Sequence, residues 1–177
     1  MTNWKGQIVF IEALRLLSLK ENLKPFTGIL LGGDQGRNVY KKKLIGLVEQ
    51  HRLTSSVRFI DEFSEMPLAY KLSNLVISAS IEPEAFGRVS VEAQSMCKPI
   101  VATKLGGSKE TIINEKTGIL IEPGNPNVMA DTMYKIMTMD EKMLESMGLE
   151  GRKNVLKKFD VEKMCNSTFT EYKKLIQ

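Results

Sequence analysis

Short apolar runs alternate with amphipathic stripes from one end of the sequence to the other, and no other feature constrains the fold as tightly. Phe10, Ala13, Leu14 and Leu17 repeat at helical spacing and predict a helix over roughly 6–21. The run 27–31 reads as a buried strand closed by the turn residues Gly32-Gly33-Asp34. Tyr40, Leu44, Leu47 and Val48 mark a second helix, Val57–Ile60 a short strand, and 75–79 another buried strand. Between those two strands Ser64 is expected to cap a brief helix carrying Pro67 in its first turn. Val89, Ala93 and Met96 stripe a helix that begins near Gly87. A strand over 99–103 follows, then Gly106-Gly107 and a short helix capped by Ser108. The run 117–121 is the last strand, stopped by Pro123-Gly124. Asn125 and Pro126 read as the cap and first position of a helix striped by Met129, Met133, Ile136 and Met137. Two more helices span roughly 140–159 and 160–176, the last packing back on the body through Val161, Met164, Cys165, Thr168 and Tyr172. Strands separated by helices imply βαβ units, so the fold class is α/β, a doubly wound and mostly parallel sheet. Such a domain ordinarily opens with a strand. Here a helix begins within about five residues, so the chain is expected to be truncated upstream.

A chain of 177 residues fits one domain and can bury its core without a disulfide or metal. Cys97 and Cys165 make no disulfide framework and read as reduced core or near-core residues of a cytoplasmic protein. His51 ends a helix and reads as a surface residue; with so few His and Cys, no dedicated metal site is expected. The ten methionines fall on helical stripes and read as core filling. No apolar run approaches the ~20 residues of a membrane span. The net charge of +4 could favour anionic partners such as nucleotides, phosphorylated acceptors or a lipid surface, but a solvated Lys-rich surface accounts for it more readily. Its lysines are dispersed and form no basic block interleaved with aromatics, so nucleic acid is not an expected partner.

The stretch Ser80-Ile81-Glu82-Pro83-Glu84-Ala85-Phe86-Gly87-Arg88-Val89-Ser90-Val91-Glu92-Ala93 lies at the carboxyl end of a predicted central strand and runs into a helix. In open α/β sheets ligands bind there. Gly87 lets backbone approach a ligand closely, and the N–H groups around Phe86, Gly87 and Arg88 would face outward where the helix dipole also favours an anion, a phosphate cradle. Two carboxylates flank it. Eight residues at helical rise span roughly 12 Å, less if the loop curls back. That is of the order of the ribose-to-hexose distance in a nucleotide sugar. A carboxylate accepts two hydrogen bonds at once and suits a pair of neighbouring hydroxyls. Read so, Glu92 takes the ribose diol, Glu84 the hexose hydroxyls and the turn the diphosphate.

This stretch resembles the retaining glycosyltransferases of family 4, also called group 1, which have the GT-B fold. The match is to their E-x7-E signature, Glu84 to Glu92 with Phe86-Gly87 inside it. Trp4-Lys5-Gly6 resembles the Lys-Gly at the opening of that family's donor domain, where the lysine contacts the diphosphate. Leu30 to Asp34 resembles its strand ending in Gly-Asp-Gly, with the order here Gly-Gly-Asp. Val57-Arg58-Phe59-Ile60, Lys98-Pro99-Ile100-Val101-Ala102-Thr103 with Gly106-Gly107 and Glu110, and Thr117-Gly118-Ile119-Leu120 with Pro123-Gly124 follow in the family's order. The resemblance implies a donor-binding C-terminal domain over residues 1–177, with an N-terminal acceptor domain outside the chain. It implies donor contacts by Lys5, Glu84, Ala85, Phe86, Gly87, Arg88, Val89 and Glu92, with Glu84 catalytic. No cofactor and no metal are implied. The wording Pro-Glu-Ala-Phe-Gly-Arg, with Gln94 after Glu92-Ala93, is similar to the lipopolysaccharide-core branch. That makes GDP-mannose the expected donor, a UDP-hexose the alternative, and a glycan or lipid-linked molecule the acceptor. The full-length enzyme would then work at the inner face of the bacterial inner membrane, in peripheral association. The family's arginine shortly before the lysine has no counterpart here.

Several residues keep two readings. Arg88 is a phosphate contact or a surface residue, Gly106-Gly107 shape a loop near the sugar or only turn the chain, and Asp34 caps a helix more readily than it binds ligand. A nucleotide-dependent dehydrogenase would need G-x-G-x-x-G, which Gly32-Gly33-Asp34-Gln35-Gly36 does not supply. A non-catalytic nucleotide-sugar sensor is the remaining alternative.

Overall fold

The computed structural model describes every residue except Gln35, Arg37 and Gln177. Strands β1 (Gly28–Leu31), β2 (Val57–Ile60), β3 (Val76–Ser78), β4 (Ile100–Thr103) and β5 (Ile119–Ile121) alternate with helices α1 (Gln7–Ser18), α2 (Asn38–Gln50), α3 (Met66–Leu72), α4 (Arg88–Ser95), α5 (Ser108–Thr111) and α6 (Pro126–Met137). Helices α7 (Glu141–Lys158) and α8 (Val161–Ile176) follow, and a single 3₁₀ turn at Asn3–Lys5 precedes α1. Every strand pair is parallel, β1 with β2 and β4 with both β3 and β5, as the alternation requires. The hydrogen-bonded ladder is divided into β1–β2 and β3–β4–β5. One apolar core nevertheless joins the two parts, with Leu30 and Val57 clustered with Val101, Ile119 and Ile121. Ile11, Leu14 and Leu17 of α1 and Met129, Met133 and Ile136 of α6 complete that core. Strand β4 has neighbours on both sides and is buried at all four positions, which is why it reads Ile-Val-Ala-Thr without alternation. Asn125 caps α6 as expected, its side chain accepting from the N–H groups of Asn127 and Val128 ahead of Pro126.

Several expectations are corrected. No residue of α8 is buried, and Val161, Met164, Cys165, Thr168 and Tyr172 all face out. Amphipathic spacing marks a face that something can cover, not what covers it. Met143 is exposed as well as Met164, so the methionines are not all core filling. Strand β1 is not buried throughout, because Ile29 points to the open face of a strand paired on one side. Ser64 is not the cap of α3, which begins after Glu65 without a side-chain cap. Ser108 is not a cap either: it is the buried first residue of α5, after Gly107. His51 is half-buried rather than superficial, its Nε2 lying 2.7 Å from Glu12 Oε1 of α1. Asp34 does not line the cleft described below; its carboxylate accepts from the Gly36 N–H, a local turn.

Candidate functional site

The loop between β3 and α4 is held from both sides by backbone. On one side the Ile81 N–H donates to the Trp4 carbonyl at 2.8 Å. Next to it Gly6, at φ 67°, lies so close to Ala79 that a Cβ would meet the Ala79 carbonyl carbon at 2.8 Å. These contacts bring the turn carrying Lys5 against the end of β3. On the other side the Gly107 N–H donates to the Glu84 carbonyl at 2.9 Å, and Thr103 Oγ1 donates to the Ser80 carbonyl at 2.7 Å. A Cβ on Gly106 would overlap the Glu84 backbone, and one on Gly107 the Phe86 backbone. Gly106 and Gly107 therefore do more than turn the chain: their lack of side chains lets the loop 84–86 seat directly on them.

Both carboxylates expected from the sequence are held by specific partners. Glu84, with 14% of its side chain exposed, accepts from Ser80 Oγ and pairs with Lys5 Nζ at 2.8 Å. Lys5 also lies over the Trp4 ring, 4.3 Å from its centroid. Glu92 accepts from Tyr70 Oη at 2.8 Å on one oxygen and from Arg88 at 2.9 Å on the other. Burial, reinforced by the hydrogen bond and charge of Glu92, pushes the Tyr70 phenol well above its ordinary range, so it stays a donor. Between the carboxylates, Gly87 takes a left-handed φ of 75° and starts α4 with no side chain on the amides of its first turn. The Ser90 N–H is spent on the Gly87 carbonyl at 3.0 Å, which leaves the amides ahead of it and the positive end of α4 to meet an anion.

One cleft of about 570 Å³ is lined by Lys5, Glu84, Ala85, Phe86, Gly87, Arg88, Val89 and Glu92, together with Trp4, Met66, Tyr70 and Pro83. Every site residue named from the sequence is on its wall, and the volume suits a small-molecule ligand. Sequence reasoning missed Tyr70 and the role of Ser80. Ser80 stands four residues before Glu84, a spacing that local inspection could have flagged. Tyr70 is 22 residues from Glu92, and nothing in the pattern joins them. Phe86 also meets Phe159, edge to face at 5.7 Å, so the junction of α7 and α8 borders the same loop. An open α/β domain with paired carboxylates, a lysine and an uncapped helix start at the carboxyl edge of its strands has the groups that can hold a polyhydroxylated anion.

The chain belongs to the family of glycosyl transferases group 1, whose model matches residues 1–154. Its architecture is that of the C-terminal half of a GT-B glycosyltransferase. It is similar to a glycosyltransferase from Rickettsia africae, at 30% identity and a TM-score of 0.93 over 100% of this chain and 46% of that one. It is also similar to Anabaena HepE in complex with UDP-glucose, at 29% identity and a TM-score of 0.88 over 98% of this chain and 46% of that one. The D-inositol 3-phosphate glycosyltransferase of Corynebacterium glutamicum is 28% identical over 140 residues, 78% of this chain and 33% of the relative. The chain thus spans about a third of the length of that relative. Among the described residues no helix is long and apolar enough to cross a membrane.

Proposed function

We propose that this chain is the donor-binding half of a retaining hexosyltransferase. Glu92 binds the ribose diol, Lys5 and the amides of the turn 86–88 bind the diphosphate, and Glu84 is the catalytic residue that holds the hexose hydroxyls beside the reacting carbon. The observation that carries this reading is the placement of Glu84 and Glu92 on one wall with Lys5 and the uncapped start of α4. As the bond from the sugar to the diphosphate breaks, charge grows on the leaving oxygen, and Lys5 and the α4 amides are preorganised to stabilise it. The donor pairs with both groups only by loosening the Lys5–Glu84 and Arg88–Glu92 contacts. The Arg88–Glu92 pair is largely solvated and cheap to exchange, while at the more enclosed Lys5–Glu84 pair the diphosphate offers Lys5 a replacement anion.

The donor is a UDP-hexose in this reading, supported by the UDP-glucose complex of the Anabaena relative. The GDP-mannose and lipopolysaccharide-core expectation has only the wording around Glu84 behind it. The acceptor, a glycan or lipid-linked molecule, belongs to a second domain that faces the cleft in the cytoplasm. Calorimetry with UDP, UDP-glucose, GDP and GDP-mannose tests the assignment. UDP ligands should bind more tightly, and Glu92→Ala should cost about 1–3 kcal/mol, the scale of hydrogen bonds to a charged group. Unchanged affinity in that variant removes the ribose role, and preference for GDP-mannose reinstates the mannosyl reading. The chain alone should bind donor yet transfer no sugar, because positioning donor against acceptor, worth up to roughly 7–11 kcal/mol, needs both walls of an interdomain cleft. Transfer by residues 1–177 at the full-length rate would refute the division of labour.

A further inference from the structure

We propose that Tyr70 is a positioning residue for nucleotide recognition, its hydroxyl holding the Glu92 carboxylate in the orientation that meets a ribose diol; this rests on the ribose assignment of Glu92 above. Tyr70 lies on α3 and donates to Glu92 Oε2 of α4 at 2.8 Å. Tyr70 is 7% exposed and sits in a small apolar cluster with Ala93, Ile100, Ala102 and Ile112. The position of the hydroxyl is therefore set by packed neighbours and not by free torsions of its own.

Glu92 is the opposite kind of group. Its long side chain is a third exposed, and unrestrained it would sample several rotamers and pay entropy to be ordered on binding. Its other oxygen pairs with Arg88, but 83% of the Arg88 side chain is in solvent, and an exposed pair one helical turn apart is a weak restraint. Of the two partners, then, Tyr70 is the one able to fix the carboxylate. Its bond uses one acceptor direction of a group that has about four, so a diol can still be received in bidentate fashion once Arg88 gives way. Burial and the neighbouring Glu92 raise the phenol pKa, so the hydroxyl keeps its proton and remains a donor.

A simple staple between α3 and α4 would act on every ligand alike, whereas a positioning residue acts on the ribose. Calorimetric titration of UDP and of 2′,3′-dideoxy-UDP into the wild type, Tyr70→Phe and Glu92→Gln separates the two. The wild type should prefer UDP. Tyr70→Phe should weaken UDP about two- to tenfold, the scale of ordering one flexible side chain, and leave dideoxy-UDP unchanged. Equal losses for both nucleotides, or no loss for either, overturn the proposal. A wild type that does not distinguish the nucleotides defeats the ribose assignment of Glu92 itself, and the role of Tyr70 with it. Should Tyr70→Phe fail to fold, 3-fluorotyrosine placed at the 4 tyrosines gives a second readout. The fluorine resonance that moves in Glu92→Gln reports Tyr70, and it should keep its bonded position when UDP binds. Movement to the Glu92→Gln position on UDP binding overturns the proposal.

Discussion

Replacing Gly107 with alanine is a clean test of how the site loop is held. Gly107 has φ −61° and ψ −19°, a conformation any residue adopts, so the substitution adds no backbone strain of its own. Its effect is steric. The new Cβ would overlap the Phe86 carbonyl oxygen and stand 2.5 Å from the Phe86 carbonyl carbon and 2.7 Å from its Cα. All three are backbone atoms, so no side chain can swing aside. Ordinary contact begins at 3.4 Å, so the loop must move by about 1 Å, the carbonyl oxygen furthest. That movement also strains the Gly107 N–H bond to the Glu84 carbonyl, now 2.9 Å. Overpacking of this kind costs about 1–3 kcal/mol. At roughly 2–4 °C per kcal/mol for a domain of this size, Tm should fall by about 2–12 °C. Binding should suffer more than stability, because Glu84 and Phe86 ride on the displaced segment and a 1 Å misplacement can cost on the order of a hundredfold. We expect UDP affinity to drop at least about tenfold in calorimetry, with the circular dichroism spectrum unchanged. Gly46→Ala is the control: it sits in α2 with open space around its Cβ, and should gain about 0.5–1 kcal/mol with no change in binding. A Gly107→Ala protein with wild-type Tm and wild-type UDP affinity would refute the idea that the glycine pair seats the loop.

Two further outcomes follow from pairings away from the cleft. For Glu12, burial alone would raise the carboxyl pKa, but hydrogen bonds from His51 and Arg15 and their charges bring it below the ordinary 4.5. A depressed folded pKa gives stability that is present above the unfolded value and lost as pH falls through the lower folded one. Denaturant unfolding should therefore show wild type exceeding Glu12→Gln at pH 7, with the gap closing once pH drops below about 4.5; a gap that stays constant down to pH 3 would contradict the assignment. Removing residues 161–177 should leave Tm within about 2 °C of the intact chain and UDP binding unaltered, because no residue of α8 is buried. A large loss of stability would mean α8 is covered in solution.

The class of fold was legible because it rests on local periodicity. The apolar run Ile100–Ala102 ending in Thr103 read as a strand and the stripes of α1 and α6 as helices, while the burial of that strand on both faces came from the structure. The cleft was legible for a related reason: Glu84, Gly87 and Glu92 share one loop and the first turns of one helix, so their spacing in sequence is nearly their spacing in space. Lys5 was reached only through its resemblance to a motif, and its pairing with Glu84 depends on Gly6 packing against Ala79. Tyr70 on Glu92 and His51 on Glu12 were not legible at all, and for Gly106-Gly107 a place near the sugar was one of two readings, while the seating of the 84–86 backbone on them was not legible. Nor was the exposure of α8, whose stripe looked like any buried face. The sequence by itself determined which segments are helix or strand, which faces are apolar and which local residues can cradle an anion. Only the tertiary structure decided which distant residues meet, because a periodic pattern names the face an element presents, while the partner of that face is set by how helices and strands dock around a shared core.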